Sequence, residues 1–256
     1  MLKFHGTPIG GTSRDAILFL SGRNALFSFF TKGHIKEVVE CCDLFIVDNG
    51  AFSHWKTTGG KINVKEYADF VDQYQYYSNH HFHIIPDAIG GTEDENDALL
   101  QEWECLGVSK DISSCSPVFH LGESVERFKR LRSKYPIVSL GSTDKWPKNG
   151  SNQWWNNMAD FMDEITDSKG NAGCKLHGLR MLDPKIFTKL PLHSADSTNA
   201  SVNGHRCMKE GILKDLERWQ GNIRIAQRIE HYQSAPYWNR DNLKMDLHGF
   251  LEDCDE

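Results

Sequence analysis

The chain has 256 residues and a formal net charge of −6, with 39% hydrophobic and 25% charged residues, a balance that supports a packed core and excludes a disordered or low-complexity polypeptide. No apolar stretch approaches the roughly 20 residues that span a bilayer, and the first residues lack the basic start and apolar run of an export signal, so a cytoplasmic protein without a membrane partner is expected. The acidic balance also excludes indiscriminate binding to phosphate backbones, and a nucleic-acid partner would require a local basic face.

Short apolar runs recur along the chain, each stopping at polar or small residues. Residues 16–20, 44–47, 82–85, 118–121, 137–140, 176–181 and 192–195 read as strands, with an eighth near 223–225. Between them, Tyr67, Phe70, Val71 and Tyr74 fall at helical spacing within residues 64–77, and Ser124 is an N-cap for a helix carrying Val125, Phe128 and Leu131. Steady alternation of strand and helix predicts a parallel sheet covered by helices, and at this length a closed (β/α)8 TIM-type barrel. A single domain would occupy residues 1–256, with 241–256 an acidic tail. No Gly-x-Gly-x-x-Gly turn follows the first run, so a Rossmann dinucleotide site lacks its phosphate loop.

The seven cysteines, Cys41, Cys42, Cys105, Cys115, Cys174, Cys207 and Cys254, lack the paired spacing of a zinc site and read as free thiols. His80, His81 and His83 lie on a strand, where neighbours point to opposite faces, and read as a polar strand start rather than joint ligands. No metal and no cofactor are expected.

Barrel enzymes build their sites at the carboxyl ends of strands, and three predicted strands end in Asp. Asp48 opens Asp48-Asn49-Gly50-Ala51-Phe52, Asp87 lies in Pro86-Asp87-Ala88-Ile89-Gly90-Gly91, and Asp196 in Ser194-Ala195-Asp196-Ser197-Thr198-Asn199. Any one of them could be a helix N-cap. Three at one mouth, each followed by small or flexible residues, point to shared work on a polar substrate or a metal. A basic face is offered by Arg127, Lys129, Arg130, Arg132 and Lys134 on one helix, with Lys145 and Lys148 in a loop containing Trp146, Trp154 and Trp155. A solvated helix face and ordinary core tryptophans would give the same pattern.

The segment Asp48-Asn49-Gly50-Ala51-Phe52 resembles the Asp-Ser-Gly-Gly-Phe motif of the tRNA-guanine transglycosylase superfamily. In the same order, Asp87 falls where that family keeps a base-recognising Asp, and Val138-Ser139-Leu140-Gly141 near its Gly-rich fifth strand end. Leu176-His177-Gly178-Leu179-Arg180-Met181-Leu182-Asp183-Pro184 is similar to its sixth strand and turn, and Asp196 stands in the place of its nucleophile. The resemblance spans most of residues 15 to 200. It is nearest to the phage and bacterial branch that inserts 7-deazaguanines into DNA. Two features depart from the family: the Cys-x-Cys-x-x-Cys zinc subdomain is missing, and so is the Thr-Arg after the nucleophile, with Ser197, Thr198, Asn199, His205 and Arg206 nearby instead.

The resemblance implies a barrel lacking the zinc subdomain. It also implies exchange of guanine for a 7-deazaguanine in DNA ahead of tRNA, in the host cytoplasm where a phage encodes it, through a covalent Asp-sugar intermediate. Asp196 would be the nucleophile and Asp48 the acid/base. Asp87 would read the guanine edge, with Asn49, Gly50, Gly141 and His120 completing the pocket and Phe52 and Met181 sandwiching the base. Arg127, Lys129, Arg130, Lys145 and Arg206 would hold the polymer. Four alternatives stay open: a glycosylase in which water resolves the intermediate, a tRNA-acting enzyme, a non-catalytic nucleic-acid-binding subunit, and a metal-dependent hydrolase. A homodimer is also left open.

Overall fold

A computed structural model describes residues 1–7, 9, 14–109, 111–142, 147–204 and 217–244. In chain order the elements are β1 (Leu2–Gly6), α1 (Arg14–Leu18), β2 (Asn24–Ser28), α2 (Ile35–Cys41), β3 (Phe45–Asp48), α3 (Ala51–Thr58), α4 (Val64–Asp72), β4 (His80–Ile84) and α5 (Glu93–Leu106). There follow β5 (Cys115–Ser116), β6 (Val118–His120), α6 (Val125–Lys134), β7 (Ile137–Gly141), α7 (Asn152–Ile165), β8 (Lys175–Gly178), α8 (Pro184–Phe187), β9 (Ser194–Ser197), α9 (Asn199–Asn203) and α10 (Arg218–Glu230).

All the strand pairings are parallel, in the order β5-β4-β3-β2-β1-β9-β8-β7-β6. The two ends of that order meet at one residue. Pro117 separates β5 from β6 and has no N–H to give a ladder, yet its carbonyl accepts from Ser139 N–H at 2.9 Å. Residues 115–120 therefore act as one interrupted stave, bonded to β4 on one side and β7 on the other. The nine strand segments make eight staves, and the chain is an α/β TIM-type barrel.

Strand register divides the side chains into two sets. Phe4, Leu26, Ile46, Phe82, Ile84, Val118 and Ile137 cluster inside the barrel. Outside, α2 and α4 pack on β2 and β3 through Val38, Val39, Tyr67, Phe70 and Val71, while α6 and α7 pack on β6 to β8 through Phe128, Leu131, Trp154, Met158 and Met162. Ser124 caps α6 as expected, its hydroxyl accepting from Arg127 N–H at 3.1 Å.

Two of the expected strands are corrected. Residues 16–20 form a helix and its following turn, and residues 223–225 lie inside α10. A short apolar run cannot be told from a buried helix by periodicity alone. The two strands in question are instead β1 and β2. In β1 the outward residues are Lys3 and His5, both buried. Lys3 Nζ donates to the Glu230 carbonyl at 2.9 Å, and His5 Nε2 meets the Glu230 carboxylate at 2.7 Å. Their polarity hides the strand in the sequence, and α10 supplies the partner that permits their burial.

Residues 240–244, where an acidic tail was expected to begin, form a short 3-10 helix, and Arg240 pairs with Asp160 and Asp163 of α7. The rest of that tail lies outside the described residues. Cys41, Cys42, Cys105, Cys115 and Cys174 are free thiols. Among the described residues no helix is long and apolar enough to cross a membrane.

Candidate active site

Parallel partners share a face of the sheet, so register places the candidate acids. Ser28 pairs with Asp48 and Phe4 with Asp196. Because Phe4 points into the barrel, Asp196 does too, and Asp48 follows Ile46 on the same inner face at the carboxyl rim. Asp87 stands three residues beyond β4 on the adjoining stave. The structure thus brings Asp48, Asp87 and Asp196 to one mouth.

The turn after β3 holds two of them. Gly50 has φ of 73°, and a Cβ there would come within 2.8 Å of Phe30 Cβ and Ser28 Oγ, so only glycine fits without a shift. Its N–H donates to Asp48 Oδ2 at 3.2 Å. Asn49 is buried; its Oδ1 accepts from Ala51 N–H at 2.8 Å, and its Nδ2 donates to the Ile85 carbonyl at 2.9 Å and to Asp87 Oδ1 at 2.8 Å. The expectation that Asn49 contacts a base is therefore corrected: its amide is occupied in fixing Asp87. Behind this turn the Tyr67 hydroxyl donates to the carbonyls of Val47 at 3.2 Å and Ile84 at 2.9 Å, locking β3 to β4.

The second oxygen of Asp87 lies 3.0 Å from His120 Nε2. Burial works against a charge on His120, but the Asp87 carboxylate, helped by Glu123, outweighs it and raises the imidazole above its usual range. The backbone N–H of His120 donates to Glu123 Oε2 at 2.8 Å, and Glu123 is paired with Arg127 Nη1 at 2.6 Å. Asn96 joins the same network, donating to Glu123 at 3.0 Å and accepting from Ala88 N–H at 2.8 Å. Each oxygen of Asp87 has one protein partner and retains a lone pair for a ligand. His120 accordingly orients Asp87 from behind, and Gly141 lies beside it, where a Cβ would meet Val118 Cγ1 tightly at 3.3 Å and touch His120 Nδ1 at an ordinary 3.5 Å.

Asp196 is held from two sides. Arg180 N–H donates to its Oδ1 at 3.2 Å, and His177 Nε2 approaches the same oxygen at 3.2 Å, while His177 Nδ1 meets Ser194 Oγ at 2.8 Å. Arg180 has φ of 59°, a left-handed conformation uncommon outside glycine. Neither His177 nor Arg180 was singled out from the sequence, where residues 176–181 read as one apolar strand. The alternation of β8, with Leu176 outward and His177 inward, is the signal that could have found the histidine.

The carboxylates also differ electrically. Burial, then the negative charge of Asp196 and more weakly that of Asp87, push the Asp48 carboxyl up to about 7, against hydrogen bonds from Ser28 and Gly50. Asp48 thus exchanges a proton near neutrality, the behaviour wanted of a general acid and base. Among the described residues no three His, Cys, Asp or Glu side chains are gathered as a metal-holding group.

Other expected site residues fare unevenly. Phe52 is half-buried, with the Arg180 guanidinium 4.1 Å from its ring centroid. Met181 is fully buried in the outer core beside Gly178 and offers no face to a base, so its stacking role is withdrawn. Arg127 is also buried, bonded to Asp97, Glu123 and the Val118 carbonyl, and cannot touch a polymer. Arg130 is exposed but pairs with Asp97 and Glu93, and Lys129 sits 3.4 Å from Glu126. Trp154, expected in a loop beside the basic face, lies in α7 and is fully buried, with Nε1 donating to Ser142 Oγ at 3.3 Å. Lys145, Trp146 and Arg206 lie outside the described residues.

A cleft of about 190 Å³, lined by Ala51, Trp55, Lys61, Ile62 and Ile89, opens beside Asp87. A larger one, about 760 Å³, lies near the amino ends of β7 and β8 and includes Arg132, Tyr135, Pro136 and Lys175 but no carboxylate. Chemistry is marked by convergent acid and base groups rather than by volume, and the carboxyl mouth has them.

No protein-family model matches the chain, and no curated protein sequence matches it. Among solved structures it is similar to tryptophan synthase from M. tuberculosis, with a TM-score of 0.47 and 9% identity over 90% of this chain and 91% of that one. It is also similar to a mutant tryptophan synthase alpha-subunit from Pyrococcus furiosus, with a TM-score of 0.46 and 7% identity over 90% of this chain and 98% of that one. Similarity this distant has no bearing on activity.

Proposed function

We propose that the chain is a guanine transglycosylase, a pentosyltransferase that exchanges guanine in single-stranded or flipped DNA for a 7-deazaguanine. The observation that carries the reading is the convergence of Asp48, Asp87 and Asp196 on one barrel mouth, with Asp48 titrating near 7. The motifs containing those residues resemble the transglycosylase pattern in the same order.

Asp196 attacks C1′ of the deoxyguanosine as the N9–C1′ bond breaks, its electron pair passing to the guanine. Asp48 delivers the proton that lets guanine leave as a neutral base. The same carboxylate then takes the N9 proton of the incoming deazaguanine, whose nitrogen attacks C1′ and releases Asp196. A covalent intermediate suits exchange because the sugar stays anchored while one base replaces another. Asp87 accepts from the adjacent N1–H and N2–H donors of either base, and adenine, which presents no such donor pair, is refused.

Incubation with radiolabelled guanine, with single-stranded DNA and tRNA in parallel, tests this reading. Incorporation into DNA by the wild type and none by Asp196→Ala is the expected outcome. Guanine release beyond one equivalent per protein without any incoming base would favour a glycosylase instead. Incorporation into tRNA alone would move the substrate to RNA.

A further inference from the structure

We propose that Arg180 forms a phosphodiester subsite at the rim of the barrel, gripping a phosphate of the nucleotide whose guanine is exchanged. The inference rests on the transglycosylase reading and extends it to the phosphate beside the reacting sugar.

Three carboxylates at one mouth repel a polyanion, so a DNA strand needs a cation near the reacting sugar. The cations that α6 was expected to offer are engaged elsewhere, while Lys145 and Arg206 lie outside the described residues. Arg127 is buried in ion pairs, Arg130 is held by Asp97 and Glu93, Lys134 by Glu104, and Arg132 donates to the carbonyls of Ile165 and Ala172. Arg180 differs from all of them. Its side chain is exposed, and among the described residues no carboxylate or carbonyl binds its guanidinium, which rests on the Phe52 ring at 4.1 Å.

That resting place has a chemical consequence. Stacking engages the flat face of a guanidinium and leaves the N–H donors around its edge free, the arrangement from which Arg binds a phosphate through two parallel hydrogen bonds. The backbone fixes where the group can reach. Arg180 N–H donates to Asp196 Oδ1 at 3.2 Å, so the residue is tied to the carboxylate that would attack C1′. A phosphate flanking that same sugar falls within the length of an arginine side chain. The backbone at φ of 59° would be relaxed with glycine, and an Arg is instead accommodated against that preference.

The test uses the full chain and a fluorescent single-stranded oligodeoxynucleotide containing one guanine, with binding followed by anisotropy over a range of NaCl concentrations. R180G keeps the N–H to Asp196 and suits the turn, R180Q keeps the side-chain bulk without the charge, and R180K restores a cation. R180G and R180Q are expected to weaken binding about 10- to 100-fold, as loss of a charged hydrogen bond does. They should also flatten the slope of log affinity against log salt by about 0.7, the contribution of one phosphate contact on a single strand. R180K should keep the wild-type slope. Thermal melts distinguish lost contact from lost fold, and R180G should melt no lower than the wild type. Wild-type affinity and slope in both R180G and R180Q would overturn the subsite while leaving the transglycosylase reading intact. A wild type with no salt-dependent affinity for the oligonucleotide would overturn the subsite and the DNA substrate together.

Discussion

The two ends of the barrel crowd like charges in opposite ways. At the carboxyl mouth three aspartates converge, whereas the amino mouth gathers His81, His193, Lys175 and the Met1 amine around a plug of Phe4 and Phe82. Both ends relieve repulsion by shifting toward neutral groups. Burial, followed by the charges of Lys175 and His81, lowers His193 to about 4, and burial with Lys175 and His177 lowers His81. Those imidazoles are inert at neutral pH. Asp48, pushed up to about 7, sits instead where a proton can be given and retrieved, and this separates an end fixed in one protonation state from one that exchanges a proton near neutrality.

The largest effect should come from Asp196→Asn, which removes the nucleophile with little change of shape. Exchange should fall by about 10³-fold or more, equivalent to about 4 kcal/mol of barrier, whereas His193→Gln at the other mouth should leave it within about twofold. Single-turnover measurements would check both, and comparable losses would erase the distinction between the ends.

Next comes the network behind the carboxyl mouth. Arg127→Met leaves Glu123 buried without its partner beneath His120 and should cost about 3–5 kcal/mol in urea unfolding. The slope of DNA affinity against salt should not move, since the guanidinium is out of reach of a polymer. A flattened slope would return Arg127 to the binding face.

Asp48→Asn should lower exchange by about 100-fold and abolish the limb of the pH–rate profile near 7. Its stability effect has the opposite sign. A carboxyl raised in the folded state favours folding fully only below its unfolded value near 3.8, and that contribution is lost as pH rises through about 7. At pH 8 the Asn variant should therefore be more stable than the wild type by about 1–2 kcal/mol, with the gain shrinking toward pH 4.

The smallest effect belongs to His193. Its lowered value means that stability is present above 6.5 and is lost as pH falls toward 4, so His193→Gln should flatten the acid limb of wild-type stability by about 1 kcal/mol. Thermal melts between pH 4 and 7 would show it.

These regions were not equally legible in the sequence. Asp48, Asp87 and Asp196 announced themselves because an acid at the end of an apolar run has few uses other than capping or chemistry. Gly50 was legible for a related reason, as a small residue where backbone passes close to backbone. Arg127 misled because Asp97, on the neighbouring α5, is brought to it only by the fold, and because nothing in the sequence shows that its pair with Glu123, four residues earlier, is buried. The same limit hid β1, whose outward Lys3 and His5 look solvated until Glu230 is placed beside them. His177 and Arg180 went unseen because an apolar run conceals where β8 stops and the turn begins.

The most direct test is to catch the intermediate. Wild-type protein mixed with a guanine-containing single-stranded oligodeoxynucleotide, without incoming base, would be quenched in denaturant and measured by intact mass spectrometry. Exchange through Asp196 predicts a species with the mass of protein plus oligonucleotide minus guanine, absent in Asp196→Asn and discharged by added 7-deazaguanine. Guanine release with no such species, or an adduct that persists in Asp196→Asn, would contradict it.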